Sequence, residues 1–89
     1  MGSNVWNDEN KILQVLLRDL RKESGLTQLQ LATLLGRPQS YVSKYEMGER
    51  KLDLPEIRSI SICCGSDLHK FVAKFEKIIK KGLKNIECI

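Results

Sequence analysis

The sequence has little of the chemistry that enzymes and metal sites use. It contains one histidine, His69, and three cysteines, Cys63, Cys64 and Cys88. An odd cysteine count without a C-x-x-C spacing argues against both a disulfide framework and a zinc site. The sequence also shows no glycine-rich phosphate loop and no carboxylate–histidine or cysteine–histidine pairing. We therefore expect a protein that is not an enzyme and that holds no metal and no cofactor.

Long apolar runs are missing as well. No stretch approaches the roughly 20 apolar residues that a membrane-spanning helix needs, and no signal-peptide pattern opens the chain. We expect a cytoplasmic protein with no membrane partner. Its 89 residues suggest one domain.

Charge is unevenly distributed along the chain. The formal net charge is +4. Residues 27–52 carry four basic side chains against two acidic ones, and residues 66–89 carry six lysines against three acids. Such a basic excess is compatible with a polyanionic partner but does not establish one.

Helical periodicity recurs along residues 8–81, and no strand pattern appears. We predict an all-α fold of five helices, near residues 8–24, 28–35, 38–46, 53–64 and 66–81. The first has an apolar stripe of Leu13, Leu16, Leu17 and Leu20. We expect a flexible segment over residues 1–7, one domain over 8–81 and a C-terminal tail over 82–89.

The prediction depends mainly on residues 27–47, TQLQLATLLGRPQSYVSKYEM. Thr27 and Gln30 fit a capping box at a helix start, and an apolar face of Leu31, Leu34 and Leu35 follows. Gly36 suits a sharp turn that requires positive φ, and proline is favoured in the first turn of the next helix, where Pro38 stands. Val42 and Tyr45 would face inward on that second helix, with polar residues around them.

This pattern resembles the helix-turn-helix of the XRE family, the Cro and lambda-repressor type of DNA-binding domain. The resemblance covers roughly Leu13 to Phe71. It is carried by Gln28, Leu31, Ala32, Leu35, Gly36, Val42, Tyr45 and Glu46. Two residues depart from the family pattern. Most relatives have an apolar residue at the position of Arg37, and the position of Met47 is often polar or basic in the family. The resemblance implies a lambda-repressor-like domain that binds double-stranded DNA.

The second helix of the motif would then lie in the major groove. Family resemblance places base contacts at Gln39, Ser40 and Lys44, and side-chain chemistry adds Ser43 and Tyr41 as candidates. The resemblance also implies a phosphate contact at Gln28. The basic residues Arg37, Arg50 and Lys51 are further candidates for phosphate contacts. Relatives further imply a structural ion pair between Arg21 and Glu46.

Two questions stay open from sequence. Apolar residues of the last helix and tail predict a homodimer interface formed by Phe75, Ile78, Ile79, Leu83 and Ile86; the alternative is that the tail folds back on its own domain. The function that the resemblance implies is a sequence-specific repressor or autoregulator that binds a palindrome. The alternative is an antitoxin-like or accessory protein whose main ligand is another protein, with Trp6 and the tail as contacts.

Overall fold

The computed structural model describes the backbone of residues 3–84 and the side chains of residues 9–81. It contains five helices: α1 Ser3–Glu23, α2 Gln28–Leu35, α3 Gln39–Glu46, α4 Leu54–Cys63 and α5 Leu68–Lys84. No strand occurs in residues 3–84. The predicted five-helix, all-α architecture is therefore confirmed. None of the described helices is long and apolar enough to span a membrane.

Side-chain caps fix where three of the helices begin. Thr27 accepts a hydrogen bond from the backbone N–H of Gln30, whose side chain accepts one from Thr27 in return. Asp53 and Glu56 form the same reciprocal pair at the start of α4. Asp67 Oδ1 accepts from the Lys70 backbone N–H, 2.8 Å away, at the start of α5. Because each cap satisfies N–H groups that would otherwise lack a partner, these starts lie close to their predicted positions.

The ends of the first and last helices differ from the predictions. Helix α1 begins at Ser3, before the predicted start at Asp8 and within the segment expected to be flexible. Neither glycine nor proline occurs between Ser3 and Glu23, so no residue there breaks the helix. Helix α5 continues to Lys84, past the predicted end at residue 81.

The core forms where α1 packs against α3, α4 and α5, and where α2 packs against α3 and α4. Its buried apolar side chains are Leu16, Leu17, Leu31, Ala32, Tyr41, Val42, Tyr45, Ile60, Cys64 and Phe71. Leu34, which was predicted to lie on the apolar face of α2, is 58% exposed, and Leu54 is 60% exposed. Leu34 is rotated by about 100° from Leu35 around the axis of α2 and lies outside the face that packs into the core. Leu54 lies in the first turn of α4, also outside the packed face.

Candidate nucleic-acid interface

A left-handed residue produces the sharp turn between α2 and α3. Gly36 has φ 70° and ψ 32°. The chain then bends back so that the Arg37 N–H donates to the Ala32 carbonyl at 2.9 Å. Ala32 is fully buried, and its small side chain lets the two helices approach closely. The turn therefore fixes the direction in which α3 leaves α2.

Helix α3 separates a polar outer face from a buried inner face. Successive residues of an α-helix are rotated by about 100°, so positions 39, 40, 43, 44 and 47 share an arc of about 140°. Along that arc Gln39, Ser40 and Lys44 are exposed, and Ser43 is half-buried. Ser43 Oγ donates to Met47 Sδ at 3.7 Å. Four of the five predicted base-reading residues thus lie side by side on the accessible side of α3.

Tyr41, the fifth predicted base-reading residue, lies on the inner face, and that prediction is corrected. Its side chain is only 7% exposed. Its hydroxyl donates to Glu56 Oε2 at 3.1 Å. Burial is the main cause that raises the pKa of the Tyr41 hydroxyl, and its hydrogen bond to Glu56 raises it further. Tyr41 shares an arc of about 100° with the buried residues Val42 and Tyr45, so it packs inward instead of facing outward.

The ion pair implied by the resemblance connects α1 to the end of α3. Arg21 Nε lies 2.7 Å from Glu46 Oε2. Arg21 Nη2 lies 3.0 Å from Glu46 Oε1. The same guanidinium also donates through Nη1 to the Leu26 carbonyl at 2.9 Å. Both side chains are less than a tenth exposed, and the hydrogen bonds that Arg21 donates to Glu46 raise the pKa of Arg21. The geometry is the bidentate one that arginine and carboxylate favour.

Gln28 links this buried pair to the outer face of α3. Its Nε2 donates to Glu46 Oε1 at 3.0 Å. Its Oε1 accepts from Gln39 Nε2 at 3.5 Å. Gln28, predicted as a phosphate contact, is therefore half-buried and hydrogen-bonded at both ends of its amide. Gln39 keeps one N–H and its carbonyl oxygen for a further partner, which is what pairing with an adenine edge requires.

The predicted phosphate-binding cations are arranged in two ways. Lys51 is exposed in the loop between α3 and α4. Arg37 and Arg50, by contrast, both lie against the Tyr41 ring, with Cζ 4.6 Å and 4.9 Å from its centroid. Arg50 Nη2 also lies 2.7 Å from Glu56 Oε2, and Arg37 Nη2 lies 3.9 Å from the same oxygen. These two arginines are thus held by protein groups.

Glu56 also belongs to this site, although it was not among the predicted site residues. A bond from the Asp53 backbone N–H and then one from Arg50 lower the pKa of the Glu56 carboxyl to about 2. The sequence offered one signal, the unusual arginine at position 37. It gave no indication that loop residue Arg50 contacts the same tyrosine ring as Arg37.

The predicted dimer residues are only partly free. Phe75 and Ile78 are partly buried and pack against the core of their own domain. Ile79 is half-buried. Because α5 packs against α1 and α4, it covers more of its own domain than expected. The side chains of Trp6 and Leu83, and the whole of Ile86, lie outside the described residues.

Comparison with known proteins identifies the family. The helix-turn-helix family model HTH_3 matches residues 17–71. The chain is 38% identical to an XRE-family like protein from Pseudomonas syringae pv. tomato str. DC3000, with a TM-score of 0.81, over 86% of this chain and 94% of that chain. It is also similar in fold to the clp gene regulator ClgR from Corynebacterium glutamicum, at 18% identity and a TM-score of 0.72, over 86% of this chain and 82% of that chain. No curated protein matches the sequence. The chain belongs to the XRE family of helix-turn-helix DNA-binding transcription regulators.

Proposed function

We propose that this regulator reads DNA sequence with α3 in the major groove and acts as a repressor or autoregulator, as a dimer on a palindrome. One observation carries the proposal: Gln39, Ser40 and Lys44 share the exposed face of a helix whose other face is buried. Side chains of these types pair with base edges, because amide, hydroxyl and ammonium groups match the donors and acceptors of the major groove. Rigid attachment through Val42 and Tyr45 holds that face in position.

Recognition in this scheme divides between two sets of side chains. Gln39, with one free donor and one free acceptor, distinguishes bases. Lys51 in the following loop contacts phosphate, which adds affinity without sequence preference. Two half-sites related by the dimer axis would be spaced by about one helical turn, roughly 34 Å.

A pair of alanine variants tests this division. A preferred duplex is first selected from a random pool, and its affinity is compared with that of duplexes mutated at single positions. Gln39→Ala should reduce discrimination at one base pair by about 1–3 kcal/mol and leave the others unchanged. Lys51→Ala should weaken binding to every duplex alike and reduce the salt dependence, as expected when one phosphate contact is lost.

The outcome that contradicts the proposal is equally specific. If wild-type protein selects no preferred duplex, or if both variants alter all duplexes alike, α3 does not read sequence as proposed. Circular dichroism of both variants serves as the folding control, because neither residue is in the core.

The alternative, an accessory protein with a protein ligand, is favoured by a different observation. Several large apolar side chains remain 42–60% exposed, namely Leu29, Leu34, Leu54, Ile62 and Val72. Scattered exposed leucines are ordinary on small domains, so this observation is the weaker one. A protein that co-purifies stoichiometrically, together with DNA binding that shows no sequence preference, would favour the alternative.

A further inference from the structure

Three elements meet around one aromatic ring on the side of α3 that faces α4. Arg37 from the turn before α3 and Arg50 from the loop after it both contact the Tyr41 ring. Glu56, in the first turn of α4, completes the group. We call these four residues the Tyr41 cluster. Its two cations and one anion leave a net charge of +1 where the two arginines alone would give +2.

The donors of the Tyr41 cluster converge on a single oxygen atom. Glu56 Oε2 accepts from Arg50 Nη2 at 2.7 Å and from the Tyr41 hydroxyl at 3.1 Å. Arg37 Nη2 lies 3.9 Å from it. Guanidinium groups bind carboxylate and phosphate oxygens with the same geometry. Glu56 therefore occupies, within the protein, the position that a phosphate oxygen would take between these two arginines.

We propose that Glu56 determines specificity by positioning Arg37 and Arg50 and by competing with DNA phosphate for them. This inference rests on the proposed function. Binding to unrelated DNA is supplied almost entirely by cation–phosphate attraction. A carboxylate that holds two of the cations reduces that attraction for every sequence. Base contacts from α3 then make up a larger share of the total binding free energy.

The same contacts affect the specific complex differently. Arginine side chains lose rotamer freedom when they are ordered, and that loss opposes binding. The Tyr41 ring and Glu56 order both guanidiniums before DNA arrives. On the preferred duplex, the loss of Glu56 would remove both the ordering and the competition. The first loss lowers the affinity and the second raises it, so the two effects oppose one another. On unrelated DNA, which has no fixed register with the protein, only the loss of competition counts.

Other cations near α3 are not restrained in this way. Lys44 and Lys51 are exposed, and neither forms an ion pair with any residue among those described. Glu49, in the same loop as Arg50, is exposed and lies outside the Tyr41 cluster. The chain thus provides a matched control, a second glutamate near the same surface whose removal changes the net charge equally.

The test compares Glu56→Gln with Glu49→Gln in full-length protein. Glutamine can keep the cap of α4, because Gln30 fills the same role in the capping box of α2. Affinity is measured for the selected duplex and for an unrelated duplex at several salt concentrations. Glu56→Gln should strengthen binding to unrelated DNA by about two- to fivefold, the range expected when a partly exposed ion pair is lost. It should strengthen binding to the selected duplex less, so that the ratio of the two affinities falls.

Two further measurements separate positioning from a general charge effect. In an Arg50→Gln background, Glu56→Gln should lose most of its effect, because Arg50 is the cation that Glu56 holds at the shorter distance, 2.7 Å against 3.9 Å for Arg37. Tyr41→Phe removes the hydroxyl bond to Glu56 and keeps the ring, so it should shift the affinity ratio in the same direction by a smaller amount. Thermal unfolding of each variant checks that the fold persists, and Tyr41→Phe supplies a second reading if Glu56→Gln is unfolded.

Three results would overturn the inference while the proposed function stands. These are an unchanged affinity ratio in both Glu56→Gln and Tyr41→Phe, an equal effect of Glu49→Gln, and an undiminished effect of Glu56→Gln without Arg50. If wild-type protein prefers no duplex, the proposed function fails, and this inference fails with it.

Discussion

At the scale of single residues, the Glu56 side chain both caps α4 and accepts hydrogen bonds from the Tyr41 cluster. Its Oε1 caps the backbone of α4 at the Asp53 N–H, and its Oε2 receives Tyr41 and Arg50. These bonds favour the charged form, so the pKa of the carboxyl falls from 4.5 to about 2. The consequence reaches beyond DNA binding, because a pKa that differs between folded and unfolded chains makes stability depend on pH.

The sign of that dependence follows from the lowered pKa. Between pH 4.5 and pH 2 the unfolded chain binds the proton at Glu56 more tightly than the folded chain does. The stabilisation is therefore complete above about pH 4.5 and is lost as the pH falls through 2. Glu56→Gln should flatten the acid decline of the unfolding free energy in this window, measured by urea denaturation at successive pH values. Glu49→Gln serves as the control; if it flattens the decline as much, the bonds to Glu56 are not the cause.

At the scale of elements, the two glycines that flank α3 have the same backbone conformation and different surroundings. Gly36 has φ +70° and open space where a Cβ would lie. Gly48 has φ +82°, and a Cβ there would lie 2.6 Å from Gln14 Nε2. The Gln14 amide also donates to the Glu46 carbonyl at 3.3 Å, so it links α1 to the end of α3.

Alanine substitution at these glycines should separate backbone strain from crowding. Gly36→Ala should lower the free energy of unfolding by about 1–2 kcal/mol, the cost of a left-handed L-residue. Gly48→Ala should cost more, because Gln14 must also move and give up its bond. In a Gln14→Ala background the two costs should become similar, as measured by chemical denaturation. An equal loss for both glycines in the wild-type background would show that Gln14 yields freely.

Element boundaries were predictable from sequence where a local chemical signal sets them. Thr27 with Gln30 marked the start of α2 correctly, because a cap acts within four residues. The start of α1 was missed, since no cap or breaker marks it. Most of the outer face of α3 followed from periodicity. The orientation of Tyr41 did not, because it depends on Arg50 and Glu56, which lie 9 and 15 positions away along the chain.

At the scale of the whole molecule, one side of α5 has apolar side chains that its own domain leaves at least partly exposed. Val72 and Ile79 lie seven positions apart and share one side of that helix, where Val72 is 42% exposed. Phe75, between them, packs inward. A second copy of α5 placed against this side would cover both residues and would relate the two copies of α3 by a two-fold axis.

Sedimentation equilibrium at micromolar concentration tests the dimer. Wild-type protein should show twice the 10.2 kDa mass of one chain. Ile79→Glu should shift it to the monomer, because a charge would be buried at the contact. Lys77→Glu places the same new side chain on the exposed opposite side of α5 and should leave the mass unchanged. A monomeric wild type, or equal behaviour of the two variants, would exclude an interface on this side.

The hydrogen-bonded line from Arg21 through Glu46 and Gln28 to Gln39 starts inside the domain and finishes on its surface. Under the proposed function, a substitution at Arg21, inside the domain and away from DNA, should therefore change the orientation of the Gln39 amide. Divergence of binding preference among relatives need not begin on the outer face of α3. It can begin on α1, and a genetic selection for altered operator choice would be expected to return changes at both ends of this line.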